Sequence, residues 1–170
     1  MTDKQLADVI NSMVILVDSR EKKNQHILDY FISNGIKYRR EALNSGDYSF
    51  ECNLTQYNKT ICVERKNSLS EIAGNFTSHR DRFVREFERA KINDTKMHIV
   101  LENATFRKIF NGSYRSQIQP QSMLASLLTW NIRYNTPIWF VTPNDSGEVI
   151  YNILKYELRE KLKKERYYGK

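Results

Sequence analysis

Cysteine, proline, glycine and histidine are scarce in this chain, and each scarcity removes something. Two cysteines, Cys52 and Cys62, form no CxxC pair and cannot build a disulfide framework, which also argues against a structural zinc centre. The three histidines, His26, His79 and His98, lie too far apart in the sequence to suggest a metal cluster. No internal repeat or low-complexity linker interrupts the chain; Asn111 to Gln119, NGSYRSQIQ, is its most loop-like interior segment. Apolar runs fall well short of the roughly 18 residues a membrane helix needs, and MTDKQLADVI lacks the basic-then-apolar layout of a signal peptide. These absences point to a soluble cytoplasmic protein with no membrane span.

Positive charge is what the chain has in excess. Its net charge of +7 and pI near 9.4 suit a polyanionic partner, either nucleic acid or an anionic membrane surface. At 170 residues it has room for one domain with a sizeable core and not for two.

Apolar patterning predicts alternating strands and helices after a strand-rich start. MVILVD reads as a buried central strand, and NQHILDYFISNG as a helix with Ile27, Leu28, Phe31 and Ile32 on its apolar side and Gly35 as its stop. A strand pair is expected over about Lys37 to Glu41 and Gly46 to Leu54, returning as Thr60 to Lys66. Further on, SLSEIAGNF and HRDRFVREFERAK read as helices, KMHIVLE as a strand, ATFRKIF and PQSMLASLLTWNIRYN as helices, PIWFVT as a strand, and SGEVIYNILKYELREKLKKER as a long final helix. The pattern is that of an α/β fold with a mixed central sheet flanked by helices. The expected division is an extension over 1–12, one domain over 13–166 and a tail over 167–170.

The charged end of one strand raises a chemical question. In ICVERK, Glu64 and Lys66 project from one face and Arg65 from the other. If Asp47 of GDY joins Glu64, two carboxylates can hold a hard cation such as Mg²⁺ or Mn²⁺, with Lys66 beside it to position or deprotonate a water. A Glu-x-Lys pair on a strand is also a common surface ion pair. Hairpin geometry sharpens the choice. A tight turn centred on Tyr57 sets Cys52 opposite Cys62 and puts Asp47 on the face of Arg65, which excludes the site. The metal reading therefore needs a shifted register or a bulge.

At VDSRE (Val17 to Glu21), GDY (Gly46 to Tyr48) and VERK (Val63 to Lys66), the sequence resembles the nuclease domain of the XPF/Mus structure-specific endonucleases, in its standalone bacterial and phage form. The likeness runs from about Met13 to Leu162. It implies a restriction-endonuclease-like fold, a divalent metal (Mg²⁺ or Mn²⁺), and cleavage of branched DNA. It also implies roles: Asp47 and Glu64 as metal ligands, Lys66 beside the attacking water, Asp18 with Arg20 at the edge of the site, and Arg65 within the catalytic motif. Two departures stand out. The family's aspartate four positions beyond the lysine is replaced by Ser70, while the neighbouring Glu71 has capping-box spacing from Ser68. The tandem helix-hairpin-helix module found in many relatives is not present in this sequence.

Basic residues along the chain are candidate DNA contacts. Arg82, Arg85 and Arg89 share a helix face away from Phe83, Phe87 and Ala90, although Asp81, Glu86 and Glu88 could pair with them on a solvated face. Tyr114 and Arg115 sit in a polar loop suited to stacking or phosphate contact. Lys161, Lys163, Lys164 and Arg166 could clamp DNA or simply favour a helix C-terminus. A homodimer is also expected, with Trp130, Tyr134 and Tyr151 as candidate interface aromatics and core packing as their alternative. A catalytically inactive DNA-binding subunit and a sequence-specific restriction endonuclease are the competing functions.

Overall fold

The computed structural model describes residues 1–168, with the side chain of Tyr168 excluded; residues 169–170, the end of the expected tail, lie outside the described residues. Six strands form one sheet: β1 (Val14–Asp18), β2 (Tyr38–Glu41), β3 (Tyr48–Glu51), β4 (Ile61–Lys66), β5 (Lys96–Glu102) and β6 (Ile138–Val141). The helices are α1 (Asp3–Asn11), α2 (Gln25–Ser33), α3 (Leu69–Phe76), α4 (Arg80–Ile92), α5 (Phe106–Phe110), α6 (Pro120–Tyr134) and α7 (Ser146–Tyr168). The sheet order is β2-β1-β3-β4-β5-β6; β3 runs antiparallel to both neighbours, and the other adjacent pairs are parallel. This is the mixed central sheet flanked by helices that the apolar pattern predicts.

Each sheet face carries its own core. Ile15, Val17, Phe50, Ile61, Val63 and Val100 pack with α1, α2 and α7, while Cys62, Met97, Ile99 and Leu101 pack with α3, α4 and α6. Parallel strands buried on both sides read as continuous apolar runs, which is why β5 shows no alternation. Alternation still governs what the end of β4 displays. Arg65 faces the α2/α7 side, and Glu64 and Lys66 face α4.

Several expectations need correction. The strand 38–41 does not pair with 48–51: β1 lies between them, paired parallel to β2 and antiparallel to β3. Ile32 is exposed and leaves the apolar side of α2 to Ile27, Leu28 and Phe31. Trp130 is fully buried, stacked on Phe83 with ring centroids 5.3 Å apart and packed against Phe76 and Phe87, so it belongs to the core and not to an interface. Tyr134 and Tyr151 are half-buried. Residues 1–12 include α1, whose Val9 and Ile10 enter the core. Both cysteines are buried and free. No described helix is long and apolar enough to cross a membrane.

Candidate active site

Gly46 fixes how Asp47 meets β4. Its φ is +70°, in the left-handed region, and an added Cβ would lie 2.9 Å from that of Cys62, so both conformation and space call for glycine. Next to it, the Asp47 N–H donates to the Val63 carbonyl at 2.8 Å, yet Tyr48 is the residue paired with Val63. Two residues facing one is the signature of a bulge. The Tyr48–Val63 pairing also departs by three positions from the register of a tight turn at Tyr57, because the link passes through a 3₁₀ turn, Thr55–Tyr57. An odd shift exchanges the faces, which supplies the condition the metal reading needed.

The Asp47 carboxylate is held by the Arg65 backbone, whose N–H donates to Oδ2 at 2.8 Å. Glu64 and Lys66 emerge beside it, with Lys66 Nζ 2.5 Å from Glu64 Oε1 and 5.4 Å from the centre of the Phe83 ring. Burial raises the Asp47 pKa to about 7; Glu21 and Glu86 add to the rise, and Lys66 and the Arg65 amide oppose it. Burial and the like charge of Asp47 push Glu64 well above the usual carboxylate range. Burial alone would lower Lys66, but Glu64, Asp47 and Glu71 outweigh it and hold the ammonium above its ordinary value. The neighbouring carboxylates thus favour the ammonium form of Lys66 in the metal-free site.

Asp18 and Arg20 form a second element of the site. Asp18 is 2% exposed and accepts from the Arg20 backbone N–H and Nε on Oδ1 and from Arg20 Nη2 and the Leu43 N–H on Oδ2. Burial opposes ionisation, but these bonds outweigh it and lower its pKa. Its oxygens are thus occupied, whereas the Arg20 side chain is 72% exposed. Asp18 orients, and Arg20 is presented to solvent.

All these groups line one cleft of about 450 Å³, together with Glu21, Glu71, Glu86, Arg82, Arg85 and Arg89. The three α4 arginines are exposed, and no described residue forms an ion pair with them. Tyr114 and Arg115 are not part of this lining. The Tyr114 hydroxyl donates to the Ile118 carbonyl, and the Arg115 backbone N–H donates to Ser70 Oγ at 2.9 Å, so Ser70 anchors this loop. Glu71 accepts from the Asn67 N–H while Ser68 accepts from the Glu71 N–H, which gives the helix-start role anticipated for SLSE, with the reciprocal bond shifted by one residue. Of the basic tail, Lys163 is near Glu160 and Arg166 is paired with Asp3.

A divalent cation fits Asp47 and Glu64. Both are oxygen donors lining one cleft, and the like charge that Asp47 places on buried Glu64 is what a cation between them would offset. Among the described residues, no group of three or more His, Cys, Asp or Glu side chains converges as a metal cluster, so the protein would offer two carboxylates and leave other positions to water or phosphate.

The ERCC4 domain matches residues 17–153, a span that contains the end of β1, the bulge at Asp47, the ERK end of β4 and most of both cores. The chain belongs to the ERCC4 domain family. Similar solved structures include XPF from Aeropyrum pernix, with TM-score 0.64 and 20% identity over 85% of this chain and 61% of that one. A second is XPF from Aeropyrum pernix in complex with DNA, with TM-score 0.65 and 20% identity over 86% of this chain and 66% of that one. The chain spans less than two thirds of either protein's length. No curated protein matches it. The ERCC4 domain of this chain has the fold of those structures.

Sequence reasoning missed the partners of Arg65, as well as Glu86, whose carboxylate accepts a long bond from the Gly46 N–H at 3.4 Å and adds negative charge beside Asp47 and Glu64. Glu86 sits between Phe83 and Phe87 in a helix rich in charges, and spacing along the helix does not reveal a neighbour 40 positions upstream.

Proposed function

We propose that this chain is a cytoplasmic, divalent-metal-dependent DNA endonuclease that hydrolyses phosphodiester bonds in branched DNA. The observation that carries the reading is the meeting of Asp47, Glu64 and Lys66 in a cleft bordered by Arg20, Arg82, Arg85 and Arg89. Asp47 and Glu64 are the proposed ligands for Mg²⁺ or Mn²⁺. When bound, the ion would make a water more acidic and offset charge on a phosphoryl oxygen.

The chain's own groups supply the rest. Lys66 donates from its ammonium to the attacking water or to a phosphate oxygen, and Asp18 holds the Arg20 guanidinium towards the incoming backbone. The α4 arginines give a sequence-independent grip on phosphates. Arg65 has its side chain on the other face and acts on the site from behind.

Recognition of branched DNA is assigned to a homodimer, whose two copies would fix the spacing between DNA arms. The two sheet edges differ: Arg39, Arg40 and Glu41 charge the β2 edge, while β6 offers Ile138, Trp139, Phe140 and Val141. Phe106 and Phe110 on α5 and Leu128 and Ile132 on α6 are exposed as well. A second copy of this chain is the occupant that would cover them.

Incubation of plasmid, linear duplex and forked oligonucleotide with Mg²⁺ or Mn²⁺ tests the reading. Metal-dependent cleavage confined to the fork is expected. Sequence-specific cutting of the duplex would favour a restriction enzyme, and DNA binding without cleavage in either metal would favour an inactive subunit.

A further inference from the structure

We propose that Glu102 is a positioning residue for the reacting centre, acting through Arg65 from the opposite face of the sheet. The inference rests on the reading of Asp47, Glu64 and Lys66 given above.

Glu102 ends β5, two residues beyond Val100, the partner of Arg65 in β4, so both side chains share a face. Arg65 Nε donates to Glu102 Oε1 and Nη2 donates to Oε2, each at 2.8 Å, in a buried two-pronged pair. Ser146 Oγ, at the start of α7, donates to Oε1 at 2.6 Å, and His26 Nε2, from α2, lies 2.8 Å from the same oxygen. Arg65 Nη1 reaches Glu21 Oε1 at 2.7 Å, which ties in the segment after β1. Two strands, two helices and the segment after β1 therefore meet at one guanidinium and one carboxylate. Burial works against the Glu102 charge, but Arg65, Ser146 and His26 outweigh it and keep its pKa at about 2.

The geometry of the Arg65 backbone gives this cluster a role beyond stability. Its peptide N–H holds Asp47 Oδ2, and the residue stands between Glu64 and Lys66. A torsion of the peptide at Arg65 would move all three proposed reacting groups together. Fixing the Arg65 side chain fixes that torsion, and Glu102 makes the larger share of the fixing bonds. Glu102 itself does not line the cleft, whereas Arg65 does, so Glu102 reaches the site through Arg65 and not by touching the reacting groups. Outer groups that hold metal-binding side chains commonly contribute about 10- to 100-fold in metal affinity or activity.

Two variants separate positioning from mere stability. Glu102→Gln keeps the shape and removes the charge. The double variant Arg65→Met with Glu102→Met replaces the buried pair by apolar groups, a change often neutral for stability, and leaves Glu21 half-buried at the cleft edge. Melting temperature, Mn²⁺ affinity by titration calorimetry and single-turnover cleavage are read for each. We expect Glu102→Gln to lose about 10- to 100-fold in Mn²⁺ affinity and cleavage. The double variant should melt close to wild type yet retain that loss. Wild-type Mn²⁺ affinity and cleavage in the double variant, or in Glu102→Gln, would overturn the positioning role alone. A wild-type chain that binds no Mn²⁺ and cuts no DNA would overturn the proposed function and this inference with it.

Discussion

Lys66 Nζ stands 2.5 Å from Glu64 Oε1 with both side chains buried, so the lysine provides the counter-charge for one of the two carboxylates proposed to hold a metal. A buried carboxylate left without its partner is costly, and the two residues should respond differently to replacement. Glu64→Gln and Asp47→Asn are expected to abolish cleavage while retaining the fold and DNA binding. Lys66→Ala should lower the cleavage rate by about 10²-fold or more and keep Mn²⁺ binding, because its role is to donate to water or phosphate. Single-turnover rates beside calorimetric Mn²⁺ titrations check both, and loss of Mn²⁺ binding in Lys66→Ala would remove that division of roles.

The raised pKa of Asp47 makes the metal-free protein sensitive to pH. Its folded value of about 7 lies above the ordinary 3.8, so the native state binds a proton more tightly than the unfolded chain does. The contribution of this group is therefore fully present below about pH 4 and is lost as pH rises through 7, with a slope of up to about 1.4 kcal/mol per pH unit. Urea unfolding in EDTA at several pH values should show this fall in the wild type and a smaller one in Asp47→Asn, where Glu64 remains the raised carboxylate. Mn²⁺ should restore stability at the upper end, where the carboxylate is free to bind it.

Gly46 should tolerate no side chain. Alanine would place a Cβ 2.9 Å from Cys62 Cβ on a backbone with φ +70°, and we expect a loss of at least about 1 kcal/mol in stability. Because the bulge at Asp47 depends on this approach, Mn²⁺ affinity should fall as well. Thermal unfolding and calorimetry of Gly46→Ala measure the two effects.

Arg82 is expected to act on phosphate. Arg82→Ala should weaken binding to all DNA sequences alike and reduce the slope of log affinity against log salt by about 1, most visibly at low ionic strength. An unchanged slope would return Arg82 to a plain solvated face. For the dimer, Ile132→Glu places a charge on the exposed apolar face of α6 and should shift the mass by light scattering from two chains to one without lowering the melting temperature.

The order of elements was readable because the chain announces them locally: apolar runs end in carboxylates at Asp18 and Glu102, and Ser68 starts α3 where SLSE predicts it. VDSRE, GDY and VERK likewise marked residues that meet in one cleft, since these residues are close to one another only after β1, β3 and β4 pair. The neighbour of β2 could not be read, because a short polar strand, YRRE, carries no mark of which strand it will join. The register of β3 against β4 was equally hidden, as it depends on the 3₁₀ turn and on Val63 facing both Asp47 and Tyr48. Glu102 illustrates the same limit: it is 37 positions from Arg65, and only the parallel pairing of β4 with β5 brings them together.

The most direct test of the central claim is Mn²⁺ binding at pH 8, followed by titration calorimetry or by the electron paramagnetic resonance of free Mn²⁺, in wild type, Asp47→Asn and Glu64→Gln. Saturable binding by the wild type, lost in both variants with the melting profile intact, is the result expected of a cation held between these two carboxylates. Equal binding by all three proteins would contradict it and place the metal, if the chain uses one, elsewhere.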